Sequence, residues 1–374
     1  MKIALLSYIK SCNYGTLLQD YALAQKISDL GGECEYIDYS PVIRSKGIRR
    51  ILGTIKHSLF HVFTKKPKSG IDDFSFWGTP FFRGVNKKCK EFTQRFIPIS
   101  EEYNPQTLPA SNSKYGKFIV GSDQTWSPHI LKERSPFLLK FVTDNGKKYS
   151  YAPSLGTLNI PQEFLTLLKE SISDFSVVTC RERSNCPILQ KSFGRDVFHV
   201  VDPTLLLTKD EWMSVALPVS NMPSKYILCY ILGEKDCIAE YAEALGTQEK
   251  MPVYYIMTRP YYLKKKNLLK NIGPREFVSL LAKASCVVTD SFHGSILSIN
   301  FKVPFYSFTK RAVGPNSQDN DRIKEVLEEF DLLDRYCEDS REPNGINEFD
   351  YEPVYELLQT ARTYSTDILK DTLK

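Results

Sequence analysis

Short apolar runs that break into polar turns and then open helical stretches recur along this chain, and that rhythm constrains its fold more than any other feature. Lys2–Tyr8 predicts a buried strand, and the polar loop Lys10–Tyr14 follows it. A helix is expected from Thr16 to Leu30, with Leu23, Ile27 and Leu30 on its buried face and Gly31-Gly32 ending it. Cys34–Tyr39, Lys117–Val120, Lys148–Ala152, Ser176–Thr179 and Val197–Val201 read as further strands. The pattern then repeats with Tyr226–Leu232, Val253–Met257, Cys286–Thr289 and Val303–Phe308. Pro274 suits the first position of a helix, and Asp321–Asp331 and Pro353–Leu373 also read as helical. Such alternation implies an α/β fold of mainly parallel sheets covered on both faces. At 374 residues the chain is long for one core. Two doubly wound domains facing a cleft are expected, 1–208 and 209–340, with a helical tail at 341–374.

Hydrophobic content of 42% and charged content of 25% place the chain among ordinary soluble globular proteins. The apolar run at the N-terminus is too short for a secretory signal, and no stretch approaches the roughly 20 apolar residues of a membrane span. The nine cysteines are scattered without a CxxC pair, which favours reduced thiols in the cytoplasm over a zinc site or a disulfide framework. No metal-ligand spacing, Walker loop, GxSxG or GxGxxG occurs, so no metal and no resident cofactor are expected. The net charge of +5 is unevenly placed. Between Arg44 and Lys68 eight cationic residues and no acidic one flank an apolar stripe at helical spacing, within an insertion spanning 43–69. That pattern fits an anionic lipid surface or an ordinary amphipathic helix docked on the core. No aromatic stacking platform accompanies the charge, so nucleic acid is not expected as a partner.

Polar clusters gather where strands end. They are Asn13-Tyr14-Gly15, Gly121-Ser122-Asp123-Gln124, Ser154/Gly156, Arg181-Glu182 and Asp290-Ser291/His293. In open α/β sheets ligands bind at that carboxyl edge. The segment Val287–Ser298, VVTDSFHGSILS, is the most informative of these. It sets His293 at a strand-to-helix turn, where an imidazole can move protons near neutral pH. The helix start at Gly294-Ser295 offers N–H groups to an anion. His293 is equally read as a packed strand-end residue, and Asn13 as a plain helix N-cap.

The motifs NYGTLLQDYAL, GSDQTW, YAPSLG, CRERS, VDPTLLL…EW, GPREFVSLLAKASCVVTDSFHG and the late N-DRI near Asn320 resemble, in that order, the polysaccharide pyruvyl transferase family. The resemblance runs from Lys2 to about Tyr336. It implies a GT-B-like pair of Rossmann-type domains, and transfer of a pyruvyl group from phosphoenolpyruvate to a sugar as a cyclic ketal. It further implies a saccharide acceptor on a lipid carrier, with the protein cytoplasmic or peripheral at the inner face of the membrane. A GT-B glycosyltransferase using a nucleotide sugar, or a non-catalytic member that keeps the cleft, are the alternatives.

This chemistry needs a proton for the methylene carbon, a base for the sugar hydroxyls and cationic or N–H groups for the departing phosphate. The expected catalytic residues are His293 and Asp123. Arg181, Ser291, Gly294 and Ser295 are expected to bind the donor. Asn13, Tyr14, Gly15, Gln19, Ser122 and Gln124 are expected to meet the acceptor. One departure stands out. Some relatives carry Arg-Leu-His where this chain has Ser291-Phe292-His293, so either the anion-binding role passes to Arg181, Arg259 or Lys264–Lys266, or the donor differs.

Overall fold

The structure is a computed structural model that describes residues 2–41, 82–133, 135–233, 236–309, 321–338, 343, 345–346 and 350–374. The basic segment 44–68 and Asn320 lie outside the described residues.

The first half contains β1 (Ile3–Leu6), α1 (Tyr14–Asp29), β2 (Cys34–Tyr39), α2 (Arg83–Phe96), β3 (Ile99–Tyr103), β4 (Lys117–Val120) and β5 (Lys148–Ser150). There follow α3 (Gln162–Ile172), β6 (Thr179–Cys180), α4 (Asn185–Phe193), β7 (Phe198–His199) and α5 (Lys209–Val215). The second half runs β8 (Ile227–Tyr230), α6 (Asp236–Gln248), β9 (Val253–Ile256), β10 (Leu268–Leu269), α7 (Pro274–Lys283), β11 (Cys286–Thr289) and α8 (Phe292–Phe301). It ends with β12 (Phe305–Phe308), α9 (Asp321–Glu329), β13 (Tyr336–Cys337) and α10 (Glu352–Leu373).

Among the described residues every strand pair is parallel. One large sheet has the order β3-β2-β1-β4-β5 and a second β10-β9-β8-β11-β12-β13, while β6 and β7 form a small sheet of their own. Both large sheets follow the Rossmann order, in which the chain reverses direction across the sheet beside its first strand. The fold is therefore α/β and GT-B-like, with two Rossmann-type sheets.

Side-chain alternation explains why the strands read as unbroken apolar runs. Ile3, Leu5 and Ile119 join the large core between the sheets, whereas Ala4, Leu6, Phe118 and Val120 fill a second core on the far face of the first sheet. Likewise Leu228, Tyr230 and Val287 point to the shared core, and Ile227, Cys229, Cys286 and Val288 to a third. A strand buried on both faces has no polar side to show. The edge strand β3, ISEEY, carries only a partly apolar pattern and is mostly exposed, which is why sequence periodicity passes over it.

Local chemistry sets the helix ends. Asn13 Oδ1 accepts the Gly15 N–H at 2.9 Å and caps α1, and Gly31 at φ +84° ends it. Pro274 begins α7, and Glu276 reaches back to the Gly273 N–H. Helix α10 lies across both halves: Ser365 accepts from the Val201 N–H, Arg362 donates to Leu205 O and Asn300 Oδ1, and Lys117 Nζ donates to Thr372 O. Among the described residues no helix is long and apolar enough to cross a membrane.

Candidate functional site

The carboxyl edges of the two sheets meet where α1 and α8 begin. Tyr14, the first residue of α1, crosses to the other half and donates from its hydroxyl to Ile272 O at 2.6 Å. Its ring packs on Tyr230 and Phe277. One residue on, Gly15 lies against the imidazole of His293, the second residue of α8. A Cβ at Gly15 would overlap Nδ1, Cγ and Cε1 of that ring.

The other ring nitrogen faces a carboxylate. His293 Nε2 lies 3.6 Å from Asp202 Oδ2, too long for a hydrogen bond, and has no hydrogen-bond partner among the described residues. Asp202 is itself fixed: Oδ1 accepts from the Thr204 N–H at 3.0 Å and its hydroxyl at 2.8 Å, and Oδ2 accepts from Arg181 Nη1 at 2.8 Å. Burial acts to raise the Asp202 carboxyl, but the neighbouring His293 and Arg181 charges and the Thr204 N–H outweigh it and hold it well below the usual carboxylate range. Burial opposes the Arg181 charge too, and Asp202 and Glu182 overcome it.

Arg181 lies in the pocket formed with Asp202, His199, Phe292, Arg322 and Glu329. Its guanidinium sits over the Phe292 ring, 4.5 Å from the centroid, and its Nε is 3.6 Å from Glu182 Oε1. Nη2 is buried and without a hydrogen-bond partner. Glu182 is occupied by the turn after β5, accepting from the Ser154 hydroxyl and from the Leu155 N–H at 3.0 Å. On the pocket's far wall Glu329 approaches His199 at 3.7 Å, and burial pushes its carboxyl up to about 7.

Asp123, at φ +62° after β4, accepts from Thr16 Oγ1 at 2.7 Å and so joins the turn after β4 to α1. Its charge is felt by Arg181 and by Asp20, which places it in the same cluster. Asp20 is wholly buried, and burial raises its carboxyl far above the ordinary range, with Asp123 adding to the effect against an opposing hydrogen bond from Ser7.

Several other expected residues make contacts within the scaffold. Gln19 is fully buried and donates to Ser7 Oγ and Asp20 Oδ1, because it shares the inward stripe of α1 with Leu23 and Ile27. The Tyr14 hydroxyl is likewise engaged within the protein, by Ile272 O. Ser122 is buried and donates to Ala152 O. Ser291 caps α8 by accepting the Gly294 N–H at 3.3 Å, and Ser295 bonds Ser291 O and Ser307 Oγ. The N–H of Gly294 expected to hold an anion is thus already engaged. Asn13 and Gln124 remain partly exposed beside the cleft.

Asp202 was not singled out from sequence, although VDPTLLL carried the signal: an acid directly after a strand, with a Thr two residues on to fix it. Among the described residues no group of three or more His, Cys, Asp or Glu side chains is arranged to hold a metal ion.

No match was found among curated proteins. Among solved structures the chain is similar to the UDP-GlcNAc 2-epimerase of Neisseria meningitidis bound to UDP-GlcNAc, at 11% identity and TM-score 0.49, covering 100% of this chain and 99% of that one. It is also similar to a glycosyltransferase of Rickettsia africae ESF-5, at 12% identity and TM-score 0.45, covering 100% and 98%. Assignment of the fold rests on the strand orders, not on likenesses this distant. Sequence gives the more specific result, a match to polysaccharide pyruvyl transferase over residues 13–309, most of the chain. The chain belongs to the polysaccharide pyruvyl transferase family.

Proposed function

We propose that this transferase moves a pyruvyl group from phosphoenolpyruvate to a pair of sugar hydroxyls, with His293 as its acid and base. The observation that carries the reading is the position of His293, at the meeting of two carboxyl edges, between Gly15 and the anchored Asp202. In the reaction, a proton is added to the methylene carbon of phosphoenolpyruvate and the central carbon gains oxocarbenium character. One sugar hydroxyl adds there and the second displaces phosphate; one hydroxyl proton returns to the acid/base group and the other leaves on the phosphate. His293 delivers the first proton and regains one from a hydroxyl. Arg181 Nη2, buried and with no hydrogen-bond partner, is the donor we assign to the phosphate or carboxylate. Asp123 orients the cluster from the opposite turn. The acceptor is a lipid-linked saccharide of surface polysaccharide assembly, met at the cytoplasmic face of the membrane.

Thermal-shift titration with phosphoenolpyruvate, beside UDP-, GDP- and CMP-sugars, tests this. A ligand at about 100 times its Kd adds about 2.7 kcal/mol, a shift of a few degrees. Stabilisation by phosphoenolpyruvate, lost in R181K, supports pyruvyl transfer. A response to one nucleotide sugar alone replaces it with glycosyl transfer.

A further inference from the structure

Two cysteines meet beside the site, on elements that sequence separates by 77 positions. Cys12 belongs to the loop between β1 and α1, directly before the cap residue Asn13 and three residues before Gly15. Cys89 lies on α2, is 1% exposed, and points its sulfur at that loop, 3.7 Å from the Cys12 carbonyl oxygen. Cys12 itself is only partly buried. We propose that Cys12 and Cys89 form a peroxide-reactive thiol pair in which Cys12 is the attacking sulfur and Cys89 resolves it to a disulfide.

The surroundings separate this pair from the other thiols. The nearby Cys89 thiol lowers Cys12 against its burial, while Cys12 and burial together raise Cys89. Burial raises Cys34, Cys180, Cys229 and Cys286, as for inert core thiols. A partly exposed thiol with a second thiol beside it is the arrangement that captures peroxide reversibly. The Cys12 sulfur attacks one peroxide oxygen, the O–O bond breaks, and the released oxygen leaves protonated as water. The Cys89 sulfur then attacks the sulfenic sulfur, the S–S bond forms, and the hydroxyl leaves as a second water with the Cys89 proton. The two thiols lose two electrons and the peroxide gains them. The cross-link ties the loop that holds Gly15 against His293 to α2, so oxidation acts on the support of the imidazole. This pair does not depend on the identity of the transferred group.

The test is peptide mapping without reductant of the whole chain after brief treatment with hydrogen peroxide. Cys237, the other partly buried cysteine, serves as the internal control. The expected product is a thiol-reversible peptide joining 11–26 to 89–90, formed on the order of tenfold faster than oxidation of Cys237. C89S should leave a sulfenic acid at Cys12 that dimedone traps, and C12S should leave Cys89 unoxidised. Equal rates at Cys12 and Cys237, or no change in product in C89S, would overturn the assignment. Circular dichroism on both variants verifies that they fold.

Discussion

Gly15 and His293, 278 positions apart, are in direct contact, and the imidazole occupies the space where any other residue at position 15 would place its Cβ. The glycine is required by a close approach, since α1 imposes an ordinary helical backbone there. Gly15→Ala should therefore displace the ring while leaving the helix intact. The proposed pyruvyl transfer is expected to fall at least about 100-fold, as for His293→Ala, with unchanged circular dichroism. Wild-type activity in the alanine variant would show that ring placement is not limiting.

Arg181 and Asp202 form a buried ion pair, so breaking it should cost stability as well as binding. Arg181→Ala or Asp202→Asn is expected to lose about 3–5 kcal/mol in urea unfolding, while Arg181→Lys loses less. The pH dependence follows from the depressed Asp202 carboxyl. Its stabilisation is fully present above the unfolded value, about 3.9, and is lost as pH falls below that. Asp202→Asn should flatten stability below about pH 4. An undiminished acid slope in the variant would assign the loss to other carboxyls.

Asp20 behaves in the opposite sense. Its folded carboxyl is raised by burial, so its contribution is greatest below the unfolded value and declines as pH rises toward the folded one. Asp20→Asn keeps the oxygen that accepts from Gln19 and removes the charge. It should match or exceed wild-type thermal stability at pH 8, whereas Asp20→Ala should lose about 1–3 kcal/mol by stranding Gln19.

Glu329, held up to about 7, should make the protein less stable as pH rises from about 4.3 through 7. Glu329→Gln should remove that part of the slope, raising Tm relative to wild type at pH 8 more than at pH 5. Equal differences at both values would place the titration elsewhere.

The basic segment gives a prediction from sequence alone. Reversing Arg49, Arg50, Lys65 and Lys66 to Glu should weaken salt-sensitive binding to anionic vesicles. Equal binding by both proteins would discard a membrane role for 44–68.

His293 was legible in sequence because everything that positions it locally is local: an apolar strand, a Ser cap and a helix in twelve residues. The same holds for Asn13 as cap of α1. Asp202 was harder, since its meaning lies in contacts with Arg181 and His293, 21 and 91 positions away. Gln19 is a different case. A polar residue near a motif invites a ligand role, yet its place four before Leu23 sets it on the inward face of α1. Edge strands β10 and β13, two residues each, were too short to leave a pattern.

Helix α10 has a consequence for how the molecule is made. It supplies the carbonyl that receives Lys117 and the hydroxyl that satisfies the Val201 amide, both in the first half, although it follows the whole second half along the chain. A polypeptide leaving the ribosome N-terminus first must hold its first sheet with those groups unmet while the second is synthesised. Native closure of the first half therefore waits for α10, made after the whole second sheet, and not for the completion of its own strands.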